Sequence, residues 1–396
     1  MRKPFFQRWN ATAAYALLQA ATWSFYAVIL SFSSNVLRSF GFTDSQISLL
    51  LGISTAASFA AQLVAAELIS RFPKLKVYGL MLLLGTVMLV GNLMILVPGM
   101  GKVPAILAFA AACLVLQMMP SFTNAMGMDA IERGSPTDYS LARGIGSLAY
   151  SLMAYVTGML VRELGTRMVP AMGALCAAAL IAGTVWFHLS GERGLQSVQQ
   201  SLRKQTKEEG FLRQYPRFAV FLLASIFLQF SHNLLSNFMF QIMLSKHGGA
   251  GEQGTATAIC ALVELPVMFG FPLMLRRIKC EKWVTFASLS MALKAIGIFL
   301  AATPYGVYVA QMTQIIGYGL YTISSVNYAG LVVGKGESVR AQSYLGSTST
   351  VGCLLALSTG GVICEHFGAQ TMVLVSLAAA LIGGVTVAFT AQKTEK

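Results

Sequence analysis

VYGLMLLLGTVMLVGNLMILV (Val77–Val97) runs for twenty-one residues without a charge. At about 1.5 Å of rise per residue, a helix of this length reaches about 30 Å, the hydrocarbon thickness of a bilayer. No water there satisfies backbone N–H and C=O groups, so the run reads as a membrane-spanning helix. Arg71, Lys74 and Lys76 stand before it and Lys102 after it, as polar flanks.

Eleven similar runs fill most of the remaining chain. The twelve predicted helices cover 10–37, 44–70, 77–97, 103–131, 139–161, 168–189, 217–245, 254–275, 283–302, 305–333, 340–364 and 370–391. Hydrophobic residues make up 56% of the 396 positions, charged residues 11%, and mean hydropathy is +0.66. Soluble domains carry about 25% charged residues, which excludes a soluble multidomain protein. The expected fold class is an all-α membrane protein of twelve transmembrane helices. The first run is too long for a signal-peptide core and no small-x-small cleavage site follows it. It is therefore expected to remain as helix 1.

The net charge of +13 raises the question of a polyanionic partner. With the N-terminus cytoplasmic, twelve crossings place both termini there. Twenty-one Lys and Arg then face the cytoplasm, six of them (Arg193, Arg203, Lys204, Lys207, Arg213, Arg217) between helices 6 and 7. The opposite side holds five: Arg38, Lys102, Arg162, Arg167 and Lys246. This asymmetry is the positive-inside rule, and no nucleic-acid partner is needed to explain the basicity. The six cysteines form no C-x-x-C and no metal-ligand spacing. They read as packing residues, and no metal site is expected.

The segment from about Ser190 to Arg217 is the only long polar connection. It predicts an N-terminal six-helix bundle over 1–190, a cytoplasmic linker over 191–216 and a C-terminal bundle over 217–396. The halves echo each other in order. Gly41-Phe42-Thr43-Asp44 opens helix 2 and Gly251-Glu252-Gln253-Gly254 opens helix 8. Gly146-Ser147 in helix 5 matches Gly346-Ser347 in helix 11, and Leu164-Gly165-Thr166 matches Phe367-Gly368-Ala369. Such a parallel six-helix repeat is the arrangement of major facilitator transporters. With the Gly-Ser pair as register Arg143 faces Ser343, and with the helix 2 and helix 8 openings Glu264 faces Ala56, so neither charge belongs to the repeated framework.

Charges at membrane depth are costly and point to an aqueous cavity or a partner. Glu264 lies twelve residues from both Glu252 and Arg276, near mid-depth, and reads as a protonatable coupling site or an interhelical hydrogen-bonding group. Lys294 lies twelve residues into helix 9, beyond easy snorkelling, and pairs naturally with Glu264. Ser135-Pro136 reads as an N-cap and first helical residue, which sets Arg143 about two turns into helix 5. Tyr150 follows on the same face. A guanidinium fork above an aromatic ring can hold vicinal hydroxyls or a carboxylate while the ring stacks on the ligand. His232 stands among Gln229, Asn233, Ser236 and Asn237 in a polar stripe on helix 7. That stripe suits a watered path or interhelical hydrogen bonds. Gln311, Gln314, Tyr318 and Tyr321 on helix 10, and Gln19, Trp23 and Tyr26 on helix 1, are further candidates. Asp129, Glu132 and Glu67 are expected to pair with Arg133 and Arg71 at a cytoplasmic gate.

Tyr139-Ser140-Leu141-Ala142-Arg143-Gly144-Ile145-Gly146-Ser147-Leu148-Ala149-Tyr150 resembles the Y-G-x-A-R-x-x-G-S-x-G-Y signature of the lactose/sucrose permease branch of the major facilitator superfamily. Gly251–Thr255 and Glu264-Leu265-Pro266 are similar to that family's helix 8 elements, and Lys294 stands where its helix 9 Arg is usual. The resemblance implies that Arg143 binds substrate hydroxyls, Tyr150 stacks on a sugar ring and Glu264 links binding to proton movement. The chain departs from the pattern in four places. Asn124 and Ala125 replace the helix 4 acid, Gln314 and Gly317 the helix 10 His-x-x-Glu, and Gln229 and His232 the helix 7 acids; the helix 2 loop lacks the usual gate Asp.

The expected function is secondary active transport, a proton symport of a sugar or glycoside-like solute by alternating access. Expected substrate-binding residues are Arg143, Tyr150, Trp23, Tyr26, Asn124, His232, Asn237 and Gln314. Glu264, Lys294 and His232 are expected to couple protons. An organic-anion permease for aromatic or sugar acids is the alternative, because Arg143, Lys294 and Glu264 sum to one positive charge. A multidrug exporter or non-transporting receptor is a third reading, though 20 Met and 24 Phe are equally accounted for by packing. The sequence has no nucleophile–base set, metal cluster, phosphate loop or nucleotide-binding domain, so it reads as a non-enzyme without cofactors, driven by a gradient. Its expected partners are a small solute, H+ and membrane lipid. It is expected to be a monomer in the inner or plasma membrane, with both termini cytoplasmic.

Overall fold

The computed structural model describes residues 5–71, 77–99, 101–132, 135, 137–190, 210–333 and 337–392, without the side chains of 5–9, 63, 66–71, 102, 128, 129, 131, 132, 140, 272, 338 and 339. Regular structure among the described residues is helical throughout. The first seven helices are α1 (Phe5–Ile29), α2 (Ser33–Ser39), α3 (Asp44–Arg71), α4 (Val77–Leu96), α5 (Lys102–Glu132), α6 (Tyr139–Leu164) and α7 (Met168–Leu189). There follow α8 (Phe211–Gln214), α9 (Pro216–Asn237), α10 (Met239–Ser245), α11 (Ala250–Leu275) and α12 (Cys280–Leu300). The last are α13 (Pro304–Met312), a 3-10 turn (Thr313–Ile315), α14 (Tyr318–Leu331) and α15 (Ser338–Thr390).

Eight of these helices meet the length and hydropathy of a bilayer crossing, nine when the bent pair α1–α2 is taken as one. α15 holds two of the twelve predicted spans, because its 53 residues turn at Gly368. With α3 and the interrupted pair α13–α14, every predicted span has its helix. Large apolar side chains such as Leu107 and Phe389 stand outward at 66% and 86% exposure, the surface expected where lipid is the solvent.

Three interruptions were not visible as patterns. Span 1 bends by 44° between α1 and α2. Ser33 Oγ donates to the Leu30 carbonyl at 2.8 Å there, serving a backbone group at the bend. Span 7 breaks at Phe238, and span 10 breaks over Thr313–Gly317, where Gly317 N–H returns to the Thr313 carbonyl at 3.0 Å. α6 starts at Tyr139 as its expected span does, but its cap differs from the expectation. Its N-cap is Asp138, whose Oδ1 accepts the Leu141 N–H at 3.0 Å, not Ser135. A carboxylate suits the donor-rich helix end, and the later cap sets Arg143 only about one turn in.

The chain divides into two compact units, Met1–Gly41 with Ile53–Lys207, and Phe42–Gly52 with Glu208–Lys396. In the first, α1 packs along α6 and α7, and α4 along α5 and α7. In the second, α9 and α12 pack along α15, and α14 against α11 and α12. The first turns of α3 belong to this second unit. Ser48 Oγ donates to the Leu357 carbonyl, and Gly361 N–H donates to Ser48 Oγ at 3.0 Å. Residues 191–209, which hold most of the predicted linker, lie outside the described residues.

The repeat reappears as backbone geometry. Gly165 (φ 87°) and Gly368 (φ 83°) turn the chain at matching places, and nothing crowds a Cβ at either. Gly41 (φ 81°) ends span 1, while His247 (φ 63°) has positive φ after span 7. Gly165→Ala and Gly368→Ala should each destabilise the protein by about 1–3 kcal/mol, because their positive φ with ψ near 180° is backbone open almost only to glycine. His247→Gly should be neutral or stabilising. Thermal unfolding of the purified variants in detergent reads this, and an unchanged Gly368→Ala midpoint would refute it.

Candidate functional site

In the first unit the polar groups of α1, α5 and α6 form one network. Arg143 places its guanidinium 4.0 Å from the centre of the Trp23 ring and donates to Ser147 Oγ at 2.8 Å. A cation over indole is worth about 0.5–2 kcal/mol depending on desolvation. The indole is held in turn, because Trp23 Nε1 donates to Gln19 Oε1 at 3.0 Å. Gln19 is fully buried, and its Nε2 donates to Tyr15 Oη at 2.7 Å and to Asn124 Oδ1 at 3.1 Å. Tyr139 Oη also reaches Asn124 Oδ1, at 3.3 Å. Gly146 permits this approach, since a Cβ there would stand 2.8 Å from Trp23 Cδ1. Arg143, Trp23 and Asn124 are thus brought together. Tyr26 lies beside Trp23, with ring centres 5.7 Å apart, and its hydroxyl reaches Gln117 Oε1 at 3.1 Å. Tyr150 meets Ser31 Oγ at 3.3 Å, on the bend between α1 and α2.

The second unit contains an ionic relay. Lys294, 5% exposed on α12, donates from Nζ to Gln314 Oε1 at 2.9 Å. Gln314 Nε2 donates to Glu264 Oε1 on α11 at 2.8 Å. The expected pairing of Lys294 with Glu264 is therefore made through an amide. Lys294 Nζ also lies 3.6 Å from Cys260 Sγ. Gly319 gives Glu264 room, since a Cβ there would stand 3.0 Å from Glu264 Cγ. Beside the relay, His232 and Tyr318 stack in parallel with ring centres 3.4 Å apart. Tyr318 Oη donates to Gln229 Oε1 at 3.3 Å, and Ser236 Oγ lies 3.5 Å from His232 Nε2. The helix 7 stripe is partly internal, because Asn233 Nδ2 donates to the Gln229 carbonyl at 2.8 Å and Asn237 Nδ2 to Asn233 Oδ1 at 3.3 Å.

Of the expected gate residues, Arg133 and the side chains of Glu67, Arg71, Asp129 and Glu132 lie outside the described residues. Gln19 and Tyr318 carry more of the geometry than their sequence reading gave them. Both were visible as polar groups in apolar helices, but only the packing shows what each one holds. Cys260 read as packing and instead faces an ammonium.

A second polar junction closes the tip of α3 within the second unit. Ser45 N–H donates to Glu365 Oε2 at 2.7 Å, and Gln241 Nε2 donates to Asp44 Oδ1 at 3.1 Å. The carboxylate thus serves a free N–H at a helix N-terminus. The Ser45 amide, with help from the Thr43 hydroxyl, holds the Glu365 carboxyl below the usual carboxylate range.

Helices for twelve predicted spans, in two units with a guanidinium–indole platform in one and a Lys–Gln–Glu relay in the other, define a multi-pass membrane transport protein. The model of the MFS_1 like family matches residues 15–380, and the chain belongs to that family, within the major facilitator superfamily. No curated protein matches the chain. Among solved structures it is similar to a mutant form of the nucleoside transporter NupG, with TM-score 0.79, 13% identity, and 96% of this chain and 100% of that one covered. It is also similar to a bacterial homologue of the iron transporter ferroportin in the inward-facing state, with TM-score 0.73, 14% identity, and 99% and 100% covered. A third is a POT family transporter in complex with a thioalcohol-conjugated peptide, with TM-score 0.72, 10% identity, and 96% and 95% covered. At these identities the likeness is one of fold. As a member of the major facilitator superfamily, the chain is a transport protein and not an enzyme.

Because the folded-state value of Glu365 is depressed, its tie to α3 is complete above the usual carboxylate range and is lost as pH falls through the lowered value. Glu365→Gln should reproduce the low-pH state at neutral pH. Hydrogen exchange of the 42–48 segment should then speed up, with the rest of α15 unaffected. Equal exchange in the variant would count against the tie.

Proposed function

We propose that the protein is a proton-coupled secondary transporter that imports a sugar- or glycoside-like solute by alternating access. It works in the cell membrane with both termini cytoplasmic. The observation that carries this reading is the Glu264–Gln314–Lys294 relay. It puts a titratable carboxylate at mid-span, tied to a buried ammonium, where proton uptake changes the local charge balance by a full unit. Glu264 carries the proton, and Lys294 and His232 respond to it. Arg143, on its Trp23 platform, holds solute hydroxyls, with Asn124, Tyr26 and Tyr150 beside it. Gln314 and Asn237 offer amides from the second unit. Glu67, Arg71, Asp129 and Arg133 serve as a cytoplasmic gate, and the segment 191–216 links two six-helix bundles. The solved neighbours are described as transporters of nucleosides, peptides and iron, so the solute class is argued from the side chains of this chain.

Uptake into proteoliposomes under an imposed pH gradient tests the reading. Glu264→Gln should abolish gradient-driven accumulation while leaving exchange of solute across the membrane. Accumulation that persists in Glu264→Gln would remove Glu264 from the coupling. Arg143→Lys, which loses the planar fork, should raise KM about tenfold or more, or about 1.4 kcal/mol, with little change in maximal rate.

A further inference from the structure

We propose that the solute is a sugar acid, whose carboxylate replaces Glu264 as the counter-ion of Lys294 when Glu264 takes up a proton. This rests on the reading of Glu264 as the proton carrier.

An ammonium has only donors and an ionised carboxylate only acceptors. The amide between them therefore has one orientation, Oε1 toward Lys294 at 2.9 Å and Nε2 toward Glu264 at 2.8 Å. In this state the buried ammonium has its countercharge through one shared amide. Protonation of Glu264 leaves the amide a neutral acceptor, and such hydrogen bonds are about half as strong as charge-assisted ones. It also leaves Lys294, 5% exposed, without a countercharge. A buried charge in that position needs a new partner. Among the described residues, the other ionisable groups facing this place do not supply one. Cys260 on α11, 3.6 Å from Nζ, and Cys353 on α15 are thiols, Tyr318 on α14 is a phenol and His232 on α9 an imidazole, and none of these side-chain types is ordinarily an anion near neutral pH. A solute carboxylate does supply one.

The charge balance then sets the stoichiometry. One proton neutralises Glu264, one carboxylate neutralises Lys294, and the loaded site carries the same net charge as the empty one. Coupling of one proton to one monoanion is electroneutral overall.

The full chain in proteoliposomes tests this with glucuronate and methyl glucoside, which share a ring and differ in the carboxylate. Across about pH 5.5 to 8, where a carboxylate ligand stays ionised, glucuronate should bind more tightly as pH falls. An inside-alkaline gradient should drive its accumulation, and an imposed membrane potential of either sign should not. Methyl glucoside should bind at least tenfold more weakly. Lys294→Gln should remove the preference for glucuronate, and Gln314→Leu should flatten the pH dependence of binding. Potential-driven accumulation, equal or stronger handling of methyl glucoside, or accumulation of neither probe would overturn the assignment. Proton-driven uptake of methyl glucoside alone would overturn it while leaving Glu264 as the proton carrier. Gradient-driven uptake intact in Glu264→Gln would instead remove the carrier role itself.

Discussion

A charge held at mid-depth in hydrocarbon must find its counter-charge within reach, and this constraint organises the second unit. Lys294 meets it through Gln314, and Gln314 can serve because span 10 is broken where it stands. The 3-10 turn aims Gln314 at α11 and α12, while Tyr318, the first residue of α14, addresses α9 by stacking on His232. In a continuous helix these two residues, four apart, would share one face. The interruption lets one span serve three neighbours.

The first unit holds its cation by other means. Arg143 rests on an aromatic face and a neighbouring hydroxyl, and Gln19 fixes the ring from behind with every polar atom of its amide engaged. The two clusters are therefore different solutions on a repeated scaffold. The left-handed turns at Gly165 and Gly368 recur, but Arg143 stands opposite Ser343 and Glu264 opposite Ala56. The repeat builds the bundles, and the departures from it carry the charge.

Much of this was legible in the sequence because hydrocarbon admits few backbone solutions. All twelve spans lie within a few residues of their helices, since the polar flanks that end an apolar run also end a membrane helix. The breaks in spans 1, 7 and 10 were not legible. Composition there stays apolar or weakly polar, and the freed backbone groups are served by local hydroxyls and turn hydrogen bonds rather than by proline. The expected span start at 139 holds, but the cap of α6 was misplaced, because Ser135-Pro136 carries a strong cap signal while Asp138 three residues on makes the hydrogen bond. At the site, residue type picked out Arg143, Glu264 and Lys294. It did not show that Gln314 stands between the last two, because a glutamine in an apolar helix has no single reading.

Stability alone gives no reason to keep the relay. Moving two charges out of water costs several kcal/mol per ion even after relaxation, and a well-packed apolar pair of similar size often matches or improves on a buried ion pair. In the sequence register of the two halves, Glu264 stands opposite the uncharged Ala56. Gln314 bonds both charged side chains, so the cluster is orderly and its two charges share one amide. A pair retained only for folding would gain from direct contact, which gives the strongest Coulomb attraction at the shortest distance. On the proposed reading, a neutral group between the charges keeps each one satisfied while leaving either replaceable, as a carrier requires of a charge it must release in every cycle.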